Sequence, residues 1–172
     1  MRLVRADGTT GMDETISERH KRWGMDVPCA DFDFPVFEFG YGKCVAIIEY
    51  KQNRAHPSVL RTKRTQALFT INPSLPTGVV VYNRWDANGE DPEWWSFRIV
   101  KGNKALRDSL RSLIGPLDHL IQEWKGVQCV VLSEAQYVRW LYHLRNLPCP
   151  QQVTDDLNGV GLPAGVELDW LN

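Results

Sequence analysis

The stretch "CVAIIEYKQNRAH", residues 44 to 56, decides the fold that we expect of this chain. Its first part, Cys44 to Ile48, is apolar and free of Gly and Pro, so it predicts a buried strand. Glu49 and Lys51 follow directly, and because they are two positions apart they share one side of that strand. Charges at the end of a buried strand are costly unless they are paired or bind something. The end of this strand is therefore the first place to look for a functional site.

The residues before this strand predict a helix and then the first arm of a β-hairpin. The helix spans 15 to 23, with Thr15 as its N-cap and Glu18 completing a T-x-x-E capping box. Residues 29 to 39 form the first arm, and the two glycines of "GYGK" connect it to the strand at 44 to 51.

The residues after this strand predict a basic helix, two more strands and a helical C-terminal part. The helix, "PSVLRTKRTQALFT", spans 57 to 70, and one side of it carries Val59, Leu60, Lys63 and Ala67. Strands follow at 78 to 83 and 94 to 100. Beyond them, helical patterns are predicted for "KALRDSLRSLIG", "PLDHLIQEWKG" and "SEAQYVRWLYHLRN", the last opened by a capping box of Ser133 and Gln136.

This order predicts an α/β or α+β domain with a mixed β-sheet core flanked by helices. The 172 residues suffice for one domain, which we place at 15 to 147. Residues 1 to 14 are expected to be loosely ordered, and residues 148 to 172 to form an irregular, acidic C-terminal arm. No apolar run reaches the length of a membrane span and no signal-peptide core is present, so a cytoplasmic location without membrane contact is expected. The four widely spaced cysteines predict free thiols rather than disulfides or a metal cluster.

Charge is distributed unevenly along a chain whose net charge is only −1. No Asp or Glu occurs from Tyr50 to Trp85, whereas six Lys and Arg residues do. A local positive surface of this kind suits a phosphate backbone, although a merely solvated helix face would have the same composition. The residues best placed for phosphate contacts, just beyond the end of the central strand, are Gln52, Arg54, Arg61, Lys63 and Arg64.

The first hairpin arm brings further carboxylates to the same strand end. Asp31 and Asp33 share one face of that arm. With the turn centred near Tyr41, the numbers of paired residues add up to about 82, which sets Asp33 opposite Glu49 and Asp31 opposite Lys51. A shift by half a position would put both acids on the wrong face, and Pro35 could introduce such a shift through a bulge. Asp31 and Asp33 are therefore both retained as candidates.

Two carboxylates and a lysine at one strand end suit a hard divalent cation. Mg²⁺ prefers oxygen ligands, takes one or two protein carboxylates, and completes its shell with water and substrate phosphate. The nearby lysine can then orient or deprotonate the attacking water. The structural alternative is a cross-strand ion pair between Lys51 and Asp31 or Asp33, with Glu49 left in solvent. A second E-x-K sequence, Glu123-Trp124-Lys125, is placed at the end of a predicted helix and interpreted as part of the surface.

The series Pro28, Asp31 or Asp33, and then Glu49-Tyr50-Lys51 resembles the motif of the PD-(D/E)XK nuclease superfamily. The resemblance implies a restriction-endonuclease-like, resolvase-like fold and a Mg²⁺-dependent deoxyribonuclease, with Mn²⁺ as a substitute ion. It implies that Asp33, Asp31 and Glu49 hold the metal, with Tyr50 counted among the ligand positions, and that Lys51 acts on the water. Glu18 would be the additional acid that many members take from the preceding helix.

The resemblance also leaves a non-enzymatic alternative open. A nuclease-like fold can lack activity and serve as a nucleic-acid-binding or protein-interaction module, and many proteins of this fold work inside larger assemblies. A homodimer or a larger DNA-processing assembly is therefore the expected form of this chain. Calorimetric titration with Mg²⁺ or Mn²⁺ distinguishes the enzyme from the binding module.

Overall fold

The computed structural model describes residues 35 to 38, 43 to 83 and 95 to 159. The predicted first helix at 15 to 23 lies outside these residues. The described strands are β1 (Pro35–Glu38), β2 (Lys43–Gln52), β3 (Thr77–Tyr82), β4 (Ser96–Gly102), β5 (Ile121–Trp124) and β6 (Val127–Ser133). The α-helices are α1 (Lys63–Ile71), α2 (Lys104–Ile114), α3 (Glu134–Leu144) and α4 (Gln151–Gly159), and short 3-10 helices span Pro57–Arg61 and Asp118–Leu120.

The six described strands form one mixed sheet in the order β1-β2-β3-β4-β6-β5. Strands β2 and β3 are parallel, and all other neighbours are antiparallel. Parallel neighbours require a crossover connection, which here runs from 53 to 76 and contains a 3-10 helix and α1. The predicted mixed sheet flanked by helices is therefore confirmed.

The two faces of the sheet carry different apolar clusters. On one face, Ile48 and Tyr50 of β2 and Phe97 and Ile99 of β4 pack against helices α2 and α3. On the other face, Val79 and Val81 form a smaller cluster that includes residues of β4, β5 and β6, with Leu60 and Phe69 of the crossover connection packed against it. Because strand side chains alternate, Glu49 and Lys51 lie on this second face.

The predicted single helix over 57 to 70 is wrong in one respect, because the segment is divided at Thr62. Pro57 begins a 3-10 helix that ends at Arg61, and Thr62 has an extended backbone with φ −65° and ψ 147°. Its side chain accepts a hydrogen bond from the Thr65 amide and so caps a new helix, α1. The buried residues of α1 are Thr65 and Leu68, whereas Lys63 and Ala67 from the predicted apolar side are exposed.

The predicted helix in "PLDHLIQEWKG" is also wrong. After one 3-10 turn, the chain forms the β5–β6 hairpin, whose two-residue turn consists of Lys125 with φ 49° and Gly126 with φ 79°. Positive φ at both positions is the geometry that gives a tight hairpin the twist of its strands. Lysine is uncommon at such a position, which is why the sequence did not indicate the turn.

Several other elements agree with the sequence. β3 and β4 lie within one or two residues of the predicted strands, and α2 is followed by Gly115 as its C-cap, whose φ is 86°. The capping box of α3 is present, with Ser133 and Gln136 bonding each other's backbone. The C-terminal arm differs from its prediction, because Gln151–Gly159 forms α4 rather than irregular chain. Among the described residues, no helix combines the length and the apolar character that a membrane span needs.

Candidate active site

Glu49 and Lys51 form an ion pair at the C-terminal end of β2. The Lys51 Nζ atom lies 2.6 Å from Glu49 Oε1. The Glu49 side chain is only 1% exposed and that of Lys51 is 24% exposed, so the carboxylate is buried and the lysine side chain is partly exposed. A buried carboxylate is stable only with a counter-charge and hydrogen bonds, and Lys51 supplies the charge.

Thr65 provides the hydrogen bond to the second oxygen of this carboxylate. Its hydroxyl lies 2.9 Å from Glu49 Oε2 and also 2.9 Å from the Val59 carbonyl. A hydroxyl has one proton to donate, and we assign that of Thr65 to the charged carboxylate. The Val59 carbonyl then accepts a hydrogen bond from the Thr62 hydroxyl, which lies 3.1 Å from it. Sequence reasoning missed Thr65, because a threonine in the first turn of a helix is ordinary and its contact with Glu49 arises only from the crossover.

The burial of Glu49 bears on one part of the structural alternative expected from the sequence. That alternative pairs Lys51 with an aspartate of the first hairpin arm and leaves Glu49 in solvent. Glu49 is buried and forms an ion pair with Lys51, and both aspartates lie outside the described residues. The part of the alternative that exposed Glu49 is therefore wrong.

Tyr50, the middle residue of the E-x-K sequence, faces the opposite side of the sheet. Its hydroxyl lies 2.5 Å from the hydroxyl of Tyr137 on α3, within the larger apolar cluster. Burial raises the pKa of Tyr137 well above 10, and the neighbouring Tyr50 adds to the shift. The Tyr50 side chain therefore does not share a site with Glu49, and the main-chain carbonyl is the only Tyr50 group left for a metal.

The hairpin register agrees with the prediction at two of the four described pairs. Pro35 pairs with Ile47 and Val36 pairs with Ala46, so the numbers of both pairs add up to 82. The register shifts only beyond Val36, on the turn side of these pairs. The predicted site residues Asp31, Asp33 and Glu18 lie outside the described residues.

The predicted phosphate-contact residues lie on or next to the crossover connection. Gln52 is the last residue of β2 and is half-buried. The four cations are all exposed, and the connection that carries them covers the sheet face on which Glu49 lies. They are Arg54, Arg61, Lys63 and Arg64.

Arg98 is a further charged residue of this face that sequence reasoning missed. In the sheet register, Lys51 is beside Val81 and Val81 is beside Arg98, so the two cations lie in one row separated by a single strand. Arg98 is 1% exposed, and this burial lowers the pKa of its guanidinium. The sequence contained one signal for this position: Arg98 is two residues from both Ser96 and Val100, so the alternation of strand side chains places all three on the same sheet face.

No group of three or more His, Cys, Asp or Glu side chains that could hold a metal occurs within the ranges 35–38, 43–83 and 95–159. Three cysteines in these ranges are free: Cys129 is buried, and Cys44 and Cys149 are half-buried. In the comparisons with known proteins, no family model, no curated protein and no solved structure matches this chain.

Proposed function

We propose that this protein is a Mg²⁺-dependent deoxyribonuclease of the PD-(D/E)XK type, with a restriction-endonuclease-like fold. The observation that carries the proposal is the buried Glu49 carboxylate at the C-terminal end of β2, with the Lys51 ammonium 2.6 Å from it. Ligands of α/β sheets bind beyond the carboxyl ends of parallel strands, and β2 and β3 end together here. The connection that follows carries only cations among its charged residues, as a phosphodiester substrate requires.

The donor set fits Mg²⁺ if the first hairpin arm contributes. Mg²⁺ takes one or two carboxylates from protein, and Glu49 is the one that the described residues supply at this strand end. In the proposed site, Asp33 supplies the second, with Asp31 as the other candidate. The register of the Pro35 and Val36 pairs supports this assignment, because its continuation sets Asp33 opposite Glu49. Mn²⁺ has similar ligand preferences and should substitute.

Lys51 has two tasks in this proposal. Without a metal, its ammonium neutralises Glu49. When a divalent cation takes over that charge, the Lys51 amine would orient the attacking water and offset the negative charge that develops on the phosphate. The bound metal would supply Lewis acidity toward the phosphoryl oxygen and its water ligand.

A second candidate function is supported by the same contacts. One Glu49 oxygen is paired with the Lys51 ammonium and the other accepts a hydrogen bond from Thr65. The described part of the chain contains no group of three His, Cys, Asp or Glu side chains that could hold a metal. A carboxylate satisfied in this way can be purely structural. The alternative is then a catalytically inactive nuclease-like fold that binds nucleic acid or a protein partner, including a second copy of the chain.

Calorimetry combined with a cleavage assay separates the two functions. The wild-type protein should release or absorb heat on titration with Mg²⁺ or Mn²⁺ and should nick supercoiled plasmid DNA. Glu49→Gln should lose both properties. Glu123→Gln is the matched control, because it alters the exposed glutamate of the other E-x-K sequence and should retain both. If the wild-type protein gives no heat on titration with either metal and does not nick the plasmid, the result would instead support the binding module.

A further inference from the structure

The β5–β6 hairpin reaches the chain segment that follows the candidate active site. The Trp124 Nε1–H group donates a hydrogen bond of 3.1 Å to Asn53 Oδ1. The Lys125 ammonium donates one of 3.0 Å to the Ala55 carbonyl. Asn53 and Ala55 flank Arg54, which is the first exposed cation of the crossover connection. Both neighbours of Arg54 are therefore hydrogen-bonded to the tip of the hairpin.

The position of Lys125 is well defined for an exposed lysine. It occupies the hairpin turn with a positive φ, and its amine lies 5.4 Å from the centre of the Trp124 ring. An ammonium has three donors, and the bond to Ala55 uses one of them. The remaining donors are available to a ligand at little additional entropic cost, because the side chain is already held in place.

The charges around this contact favour an anionic partner. The crossover connection from 53 to 76 contains four cations and no acidic residue. Lys125 adds a fifth cation, from a part of the chain 70 residues away, directly beside Ala55. We define the basic surface as Arg54, Arg61, Lys63, Arg64 and Lys125, all of which are exposed.

We propose that the tip of the β5–β6 hairpin belongs to the nucleic-acid interface and that Lys125 contacts a backbone phosphate alongside Arg54. The inference rests on the proposed function for the nature of its partner. It adds a second structural element to the interface, so that DNA spans from the crossover connection to the hairpin tip. A repeating polyanion fits this arrangement because it places several charges along one surface.

The salt dependence of DNA binding tests the role of Lys125. A short fluorescein-labelled DNA duplex is titrated with protein in EDTA, so that neither cleavage nor metal binding contributes. Each phosphate contact adds about 0.9 to the slope of log K against log salt on duplex DNA. Lys125→Gln should therefore reduce the slope by about 0.9, whereas Lys125→Arg should keep the wild-type slope. Gln retains a donor for the Ala55 carbonyl, so the comparison isolates the charge.

Arg139→Gln is the matched control, since it removes one exposed positive charge from α3, which packs on the opposite sheet face. Its slope should remain that of the wild-type protein. The inference is overturned by an unchanged slope in Lys125→Gln, by an equal reduction in Arg139→Gln, or by a wild-type protein that does not bind the duplex. Displacement of the duplex by polyglutamate as readily as by unlabelled DNA would indicate an acidic protein partner and also overturn it. Failure of the nuclease proposal appears separately, in the metal calorimetry.

Discussion

The hydroxyl of Thr65 on α1 donates a hydrogen bond of 2.9 Å to the buried Oε2 atom of Glu49 on β2. The contact joins the crossover connection to the strand that carries the candidate active site. Thr65 is 1% exposed and lies in the first turn of α1, between the exposed Arg64 and Gln66. The first turn of α1 therefore hydrogen-bonds the Glu49 carboxylate on its buried side and exposes basic side chains to solvent on its other side.

Replacing Thr65 by valine should destabilise the protein. Valine has nearly the same shape but no donor, so the buried carboxylate oxygen would lose its hydrogen bond. Hydrogen bonds to charged groups contribute about 1.5–3 kcal/mol, and we expect the free energy of unfolding to fall by about that amount. Urea denaturation measures the change.

Two variants test whether this loss belongs to the Glu49 contact. Thr65→Ser keeps the hydroxyl and should recover most of the lost free energy of unfolding. Thr70→Val removes an exposed hydroxyl that bonds the Ala67 carbonyl of the same helix and should change it little. If Thr65→Val is as stable as the wild-type protein, the hydrogen bond to Glu49 has no net role in stability.

Lys51→Ala should reduce plasmid nicking by a factor of about 10² or more while DNA binding is retained. The reason is that the lysine acts on the water and on developing charge, for which a loss of this size is expected. Glu49→Ala should lose metal binding together with activity. Nicking of plasmid and cleavage of branched and single-stranded DNA, with Mg²⁺ and with Mn²⁺, provide the measurement.

Folding of the Lys51 variants must be followed separately, because removal of Lys51 leaves a buried carboxylate without this counter-charge. Lys51→Arg keeps the positive charge and serves as a second variant, whose guanidinium does not deprotonate water at neutral pH. Equal cleavage rates for the wild-type protein and a folded Lys51→Ala variant would remove Lys51 from the mechanism.

Joint replacement of Arg61, Lys63 and Arg64 by Gln should flatten the salt dependence of DNA binding. All three side chains are exposed on the crossover connection, and each phosphate contact contributes about 0.9 to the slope on duplex DNA. The slope should fall by up to about three units, as measured by fluorescence anisotropy over a series of salt concentrations. An unchanged slope would place the DNA elsewhere on the surface.

Stability should decline in alkaline solution because of Tyr137. Burial raises its pKa above that of an unfolded tyrosine, which is about 10. From about pH 10 upward, the unfolded state therefore loses a proton that the folded state still holds, and the free energy of unfolding falls as pH rises through this range. Tyr137→Phe should show a weaker decline between about pH 9 and pH 11 in urea denaturation. A decline as steep as that of the wild-type protein would assign the effect to other groups, among them Tyr142, whose pKa burial also raises.

The predictions agree best with the fold for elements that depend only on residues close together in the chain. The apolar runs of β2 and β3 and the capping box of α3 each follow from residues close together in the chain. The β5–β6 hairpin could not be predicted in this way. Its apolar residues at Ile121 and Trp124 also fit a helical period, and its turn depends on a positive φ at Lys125.

The sequence by itself determined that Glu49 and Lys51 share one side of a strand, because side chains alternate along any extended backbone. It also determined that the following connection is basic, since this depends on composition alone. Only the tertiary structure decided which groups meet this pair. The parallel pairing of β2 and β3 folds the crossover back over the sheet, and this brings Thr65 to the Glu49 carboxylate, 16 residues away in the chain. The same packing brings Lys125 to Ala55, because contacts between distant segments follow from how the apolar faces of the sheet are covered rather than from any local pattern.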